Sequence, residues 1–233
     1  MLYYNQLKNS LVGIEQWGTS EWRGFKETFS NCPILVDFHA TDSPNLDSVS
    51  DLSDLFYNSP LFNGDIRYWD VSSVVDMSNM FHGANQFNRD LSNWDVSSVR
   101  DMRNMFNNAE KFNKDISNWN VSKVENMSLM FKGASSFNQD ISSWKLDSLK
   151  FMQQMFFGAR VFNQNIRNWN ISGVTSTGRV FFKAKAFDQN LSTWDISSVV
   201  AMEQMFDSSG LSLQNYDSVL IAWEAKPHLP NVW

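Results

Sequence analysis

One hexapeptide recurs through this chain at a fixed step. Trp69-Asp70-Val71-Ser72-Ser73-Val74 is followed by near-copies opening at Trp94, Trp119, Trp144, Trp169 and Trp194, 25 residues apart each time. A constant period between about 20 and 50 residues marks a solenoid or array, in which one repeat cannot bury its apolar face alone and stacks on its neighbours. The period therefore constrains the fold more tightly than any local helix or strand signal.

Read from Phe62, the unit is F-N-x-D-I-x-x-W-D-V-S-S-V-x-x-M-x-x-M-F-x-x-A. Its second half places Val74, Met77, Met80, Phe81 and Ala84 at steps of three and four, which predicts one apolar face of a short helix. Ser72 or Ser73 would cap its start, with Asp76 in the first turn. Gly83, Gly133 and Gly158 stand where a left-handed residue would end it. The first half carries Phe, Ile, Trp and Val between Asn, Ser and Asp, which reads as a short strand beside a turn. One short strand and one short helix per 25 residues predicts an α/β fold: a right-handed, leucine-rich-repeat-like solenoid of about eight coils with helical caps.

Both ends depart from the pattern, as terminal repeats do when one face meets solvent. Residues 1–44 read as an N-terminal cap with a degenerate first coil. Leu2, Leu7, Leu11 and Ile14 suggest a short helix there. Ile14 to Trp17 matches Ile66 to Trp69 at a separation of 52 (25 + 27), so one early coil is stretched by two residues. The regular repeats span 45–209. In 210–233, Tyr216, Val219, Leu220 and Trp223 share one face of an amphipathic helix that would cover the open core, with Pro227 and Pro230 ending it. All three segments read as one continuous domain. Within the repeats, Thr177 and Val180 replace two methionines and Gly178 sits between them, so that coil should be the loosest.

The 19 Phe, 10 Trp and 11 Met supply a large core, while the net charge of −6 comes without any basic block. That balance argues against nucleic acid and anionic membrane surfaces as partners. Cys32 is the one cysteine; it sits where later repeats place Ala84 and reads as a buried thiol. No signal peptide, anchor or apolar run long enough to span a membrane is recognised. His39, His82 and His228 are scattered, and no nucleophile elbow, phosphate loop or zinc spacing occurs, so no enzyme, cofactor or metal is expected.

Three ladders carry what partner information there is. The row Trp69, Trp94, Trp119, Trp144, Trp169 and Trp194 reads as core, the alternative being exposed platforms for sugar rings. The Asn63-to-Asn163 and Asp65-to-Asp140 rows read as turn hydrogen bonding, with calcium ligation as the alternative. The third signal is variation. Arg89, Lys114, Gln139 and Gln164 lie between Asn and Asp, and Arg67, Ser92, Ser117 and Arg167 follow the Ile or Leu. These eight are the candidate partner-binding residues on the polar strand face.

The unit FNQDISSW (Phe137 to Trp144), set beside D-V-S-S-V-x-D-M-x-x-M-F, resembles the 25-residue repeats of BspA-type leucine-rich-repeat surface proteins, relatives of which abound in mycoplasma and bacterial lipoproteins and adhesins. The resemblance covers about residues 14–223, including the closing GLSLQNYDSVLIAW. It implies display at a cell surface or secretion, and binding of a protein or glycan on a host or neighbouring cell by a monomer. A carbohydrate-binding module using the Trp row and a structural spacer within a longer adhesin are the competing expectations.

Overall fold

The structure is a computed structural model and describes residues 8–225. Each repeat forms one layer, and the layers stack in register. The segment expected to be helical is a run of tight turns. Met80, His82, Ala84 and Phe87 donate their N–H groups three residues back, to the carbonyls of Met77, Asn79, Phe81 and Ala84. The N–H groups between them leave the layer: Met77, Asn79, Phe81 and Gly83 donate to Asp101, Arg103, Met105 and Asn107, at 2.8–2.9 Å. An α-helix would instead send every one of these donors to the carbonyl four residues back.

This overturns the expected α/β solenoid with a helix and a strand in every coil. The spacing of three and four that suggested a helix is shared by successive four-residue turns, which also point one side chain in three or four to the same side. Two left-handed residues per layer decide between them. Asn79 and Gly83 have φ of 57° and 71°, and Asn104 and Asn108 both have 57°. A positive φ at the third position marks a type II turn, and it reverses the winding that a right-handed helix needs. Leu129, Gln154 and Arg179 hold the same conformation at φ of 57–59°, although a non-glycine residue there costs about 1–2 kcal/mol. The bonds to the next layer override that local preference.

No strand forms either. Ile66 and Trp69 close a turn by the Trp69 N–H to the Ile66 carbonyl, and Val71 and Val74 close another. Among the described residues, β pairing is reduced to one residue per layer: Asp51, Asp76, Asp101, Asn126, Phe151, Ser176 and Ala201 make successive isolated parallel bridges, and Glu21 bridges Asn45. The fold is thus a stack of turn-built layers.

Its core is made of columns that run through the stack. Phe29, Phe56, Phe81, Phe106, Phe131, Phe156, Phe181 and Phe206 follow one another with ring centroids 5.5–5.9 Å apart. Beside them, Phe62, Phe87, Phe112, Phe137, Phe162 and Phe187 pack face to face with the first column, at 3.8–4.0 Å within each layer. Val74, Met77, Met80 and Ala84 are fully buried, as are their counterparts as far as Ala184, with at most 2% exposure. Cys32 occupies the alanine phase with no exposure, and burial pushes its thiol pKa up.

At the ends the pattern bends. Glu27, Phe29 and Asn31 donate to carbonyls 26 residues ahead, where later layers use 24, so the two extra residues lie between Asn31 and Ser53. Leu2 and Leu7 of the expected N-terminal helix lie outside the described residues, as do Pro227 and Pro230. At the other end helix α1 (Leu213–Glu224) begins at Ser212, whose hydroxyl accepts the Asn215 N–H. Its Val219 and Trp223 are buried, with Trp223 6.2 Å from the Phe206 ring. The layer flagged by composition is irregular too: Met152 reaches the Ser176 carbonyl at 3.3 Å, where Met127 reaches Phe151 at 2.9 Å.

Candidate functional site

The Trp row faces inward. Trp69 to Trp194 are each exposed by 5% or less. The indoles of Trp94, Trp119, Trp144, Trp169 and Trp194 each donate Nε1–H to a carbonyl of the layer below: Ile66, Leu91, Ile116, Ile141 and Ile166, at 3.0–3.1 Å. A buried indole needs such an acceptor. No face is left open on which a sugar ring could stack.

The Asn row is a hydrogen-bond ladder. Oδ1 of Asn63, Asn88, Asn113 and Asn138 accepts the backbone N–H of the next Asn up, and Asn163 accepts that of Asp188, all at 2.8–3.0 Å. The neighbouring Asp row works within its own layer. Asp90, Asp115 and Asp140 each accept the N–H two residues on at 2.9 Å, and Asn190 does so equally well. Only an acceptor oxygen is needed, which explains the drift from Asp to Asn. Backbone and hydroxyl donors of Ser92 hold the Asp90 carboxyl below its usual range, and the Ser142 hydroxyl and N–H do the same for Asp140. Among the described residues, no three His, Cys, Asp or Glu side chains converge as a metal site would require.

The 25-residue step brings the eight candidate partner-binding residues to one side of the stack, where several are engaged internally. Arg67 pairs with Asp65 at 2.8 Å, and its guanidinium lies 5.7 Å from the Tyr68 ring centre. Arg89 Nε donates to the Asn63 carbonyl at 2.6 Å. Gln139 and Gln164 donate to the Oδ1 and the carbonyl of Asn113 and Asn138. The Ser92 and Ser117 N–H groups serve Asp90 and Asp115, and the Arg167 N–H serves Asn165. The Lys114 side chain is half-buried and that of Arg167 is exposed. This face is largely a seam that fastens layer to layer.

A second face is shaped differently. The residue after each core Phe forms a column of its own: Tyr57, His82, Asn107, Lys132, Phe157 and Phe182. Beside it runs the second left-handed position, Asn58, Gly83, Asn108, Gly133, Gly158 and Lys183. Small residues there leave a furrow. Adding a Cβ to Gly133 would drive it into Asn108 Oδ1. The furrow holds about 640 Å³ between Asn108 and Ser208, and a further 520 Å³ continues it past Gly83 to Asn58, sharing Asn108 and Glu110. Lys132, Arg160, Lys183 and Lys185 line its upper half, against Glu110 alone. Phe157 lines it and stacks on Phe182 at 4.8 Å, with Lys132 Nζ 5.2 Å from the Phe157 ring centre and Lys183 Nζ 5.1 Å from that of Phe182. Lower down, His82 stacks on Tyr57 at 4.7 Å, and burial lowers its pKa.

With this geometry in view, comparison with known proteins gives one result. The family described as Mycoplasma protein of unknown function, DUF285, matches residues 23–137 and again 114–219. The chain belongs to this family. No curated protein and no solved structure matches it. The two overlapping DUF285 matches together cover residues 23–219, the stacked layers and the first half of α1, so the furrow lies inside the DUF285 region. Sequence reasoning passed over its basic residues because they occupy the unspecified positions of the repeat. The signal was present in Phe156-Phe157, Phe181-Phe182 and Lys183-Ala184-Lys185, where an extra aromatic or cation replaces the polar residue of earlier repeats.

Proposed function

We propose that this DUF285 chain is a non-enzymatic interaction module of the BspA-like surface type, a stiff monomeric rod that binds a protein or glycan on a neighbouring cell. The reading rests on one contrast. From layer to layer the core groups hardly change, while the column after the core Phe, mostly half-buried at the surface, runs through Tyr, His, Asn, Lys and Phe. Such a stack fixes the spacing of side chains whose identity the core leaves free to vary, which suits recognition more than chemistry. The resemblance to surface repeat proteins supports display at a cell surface or secretion.

The test is a screen of the purified chain on intact cells and on mixed arrays of glycans and extracellular proteins. Saturable binding to at least one partner is expected, and it should be lost when surface columns are mutated while the melting temperature is kept. Absence of saturable binding anywhere would leave the spacer role as the better account.

A further inference from the structure

We infer that the furrow between Asn108 and Ser208 is a binding site for an acidic polysaccharide, its carboxylate or sulfate groups held by Lys132, Arg160, Lys183 and Lys185. This rests on the proposed binding role and names the class of ligand.

The first argument is charge. The chain carries a net charge of −6, yet four of its cations gather in this one furrow with Glu110 as the lone carboxylate lining it. Among the described residues, none of the four forms a salt bridge, whereas Lys26, Arg67, Arg89, Arg100, Arg103 and Lys150 all do. Two of the ammonium groups are pre-placed over Phe157 and Phe182, which reduces the side-chain freedom an incoming anion would have to remove.

The second argument is shape. The furrow follows the stack axis, and its cations sit on three successive layers: Lys132 on one, Arg160 on the next, and Lys183 and Lys185 on the third. With layers about 5 Å apart, the charged groups are spaced for a linear polymer that bears an anion every sugar or two. The amide of Asn108 and the hydroxyls of Ser135 and Ser208, all lining the furrow, can meet sugar hydroxyls.

The third argument removes the other polyanions. An acidic peptide docking as an added strand needs unpaired backbone donors, but the furrow's own N–H groups at Gly83, Asn108, Gly133, Gly158 and Lys183 are all spent on the next layer. Single-stranded nucleic acid needs open aromatic faces for its bases. Phe157 and Phe182 cover each other, and the lysines lie over the rings.

The experiment measures binding of the full chain to polygalacturonate and heparin, as carboxylated and sulfated probes, beside neutral dextran, polyglutamate and a single-stranded polynucleotide. Binding to one or both acidic polysaccharides over all other probes is expected, weakening as salt rises. The combined variant Lys132→Gln, Arg160→Gln, Lys183→Gln, Lys185→Gln should lose about tenfold or more in affinity. Lys123→Gln with Lys145→Gln, away from the furrow, should bind like the parent. If the fourfold variant melts early, the exposed pair Lys183→Gln, Lys185→Gln alone serves, with a several-fold loss expected. Equal binding of dextran, preference for polyglutamate or the polynucleotide, or full affinity in the furrow variant would each overturn the inference. A chain that binds cells or arrays but neither acidic polymer would sink this inference and leave the binding role standing; one that binds nothing would sink both.

Discussion

Thr177 stands where Met77, Met102, Met127, Met152 and Met202 stand in other layers, and it is 1% exposed. Its hydroxyl has no hydrogen-bond partner among the described residues. An unsatisfied buried hydroxyl costs about 1–3 kcal/mol. Thr177→Val deletes the polar atom and keeps the branched shape, so it should raise stability by about 1 kcal/mol, read as a higher urea midpoint with an unchanged slope. A lowered midpoint would show that the hydroxyl is satisfied after all. At this scale the sequence was readable wherever burial was the question. Phe81, Met77 and Ala84 repeat because they are enclosed on every side. It was not readable where backbone was the question: nothing local announces that Leu129 or Arg179 takes a positive φ, since a bond to the next layer imposes it.

Elements were harder to foresee for the same reason. A turn run and a helix show the same apolar spacing, and they differ in where alternate N–H groups go, which depends on residues 24 positions away. Only α1 was legible as an element, because its partners Asn215 and Ser212 are local and its inner face is unambiguous. The ladder also explains its own last rung. Asp188 Oδ1 receives the Ser212 N–H at 2.9 Å, the Ser212 hydroxyl at 2.8 Å and Asn215 Nδ2 at 2.7 Å. Three donors meet one oxygen, a load that favours a charged acceptor, and they hold the Asp188 carboxyl below its usual range. Asp188→Ala should therefore loosen α1 more than it loosens the stack. Faster amide exchange confined to Leu213–Glu224 is the expected result, with a loss of about 1–3 kcal/mol in overall stability. Uniform exchange changes throughout the layers would contradict it.

For the whole molecule, acid acts in two stages. His82 has a pKa lowered by burial and, to a lesser degree, by Lys132. Its contribution is complete above the free-histidine range near about 6.5 and declines as pH falls through it. Asp65, Asp70, Asp90, Asp95 and Asp140 are depressed, Asp65 mainly by Arg67 and the rest by serine donors. Their contribution is full above about pH 4 and is lost below it. Asp54 and Asp101, raised by burial, act in the opposite sense and soften the second stage without reversing it. Between pH 8 and 5.5 the exposed His39, raised by its hydrogen bond to Glu15, opposes His82, so urea midpoints at pH 8, 5.5 and 3 should change little at first and then fall steeply. His82→Phe, which removes the destabilising histidine and leaves His39, should raise the midpoint at pH 5.5 relative to pH 8 when set against the parent; an unchanged difference between the two pH values would place the effect elsewhere. The candidate furrow belongs to this scale as well. Its cations are scattered through three repeats, and only stacking makes them neighbours.

The bonds that tie one layer to the next also set how the protein behaves under load. Pulled from its ends, the stack should let go first at a terminal layer, which is bonded to a neighbour on one side alone, and then layer by layer. Each layer that lets go frees one 25-residue repeat, about 80–90 Å of drawn-out chain, while the layers behind it keep their shape. A chain built this way would lengthen in equal steps, each one absorbing part of the work done on it.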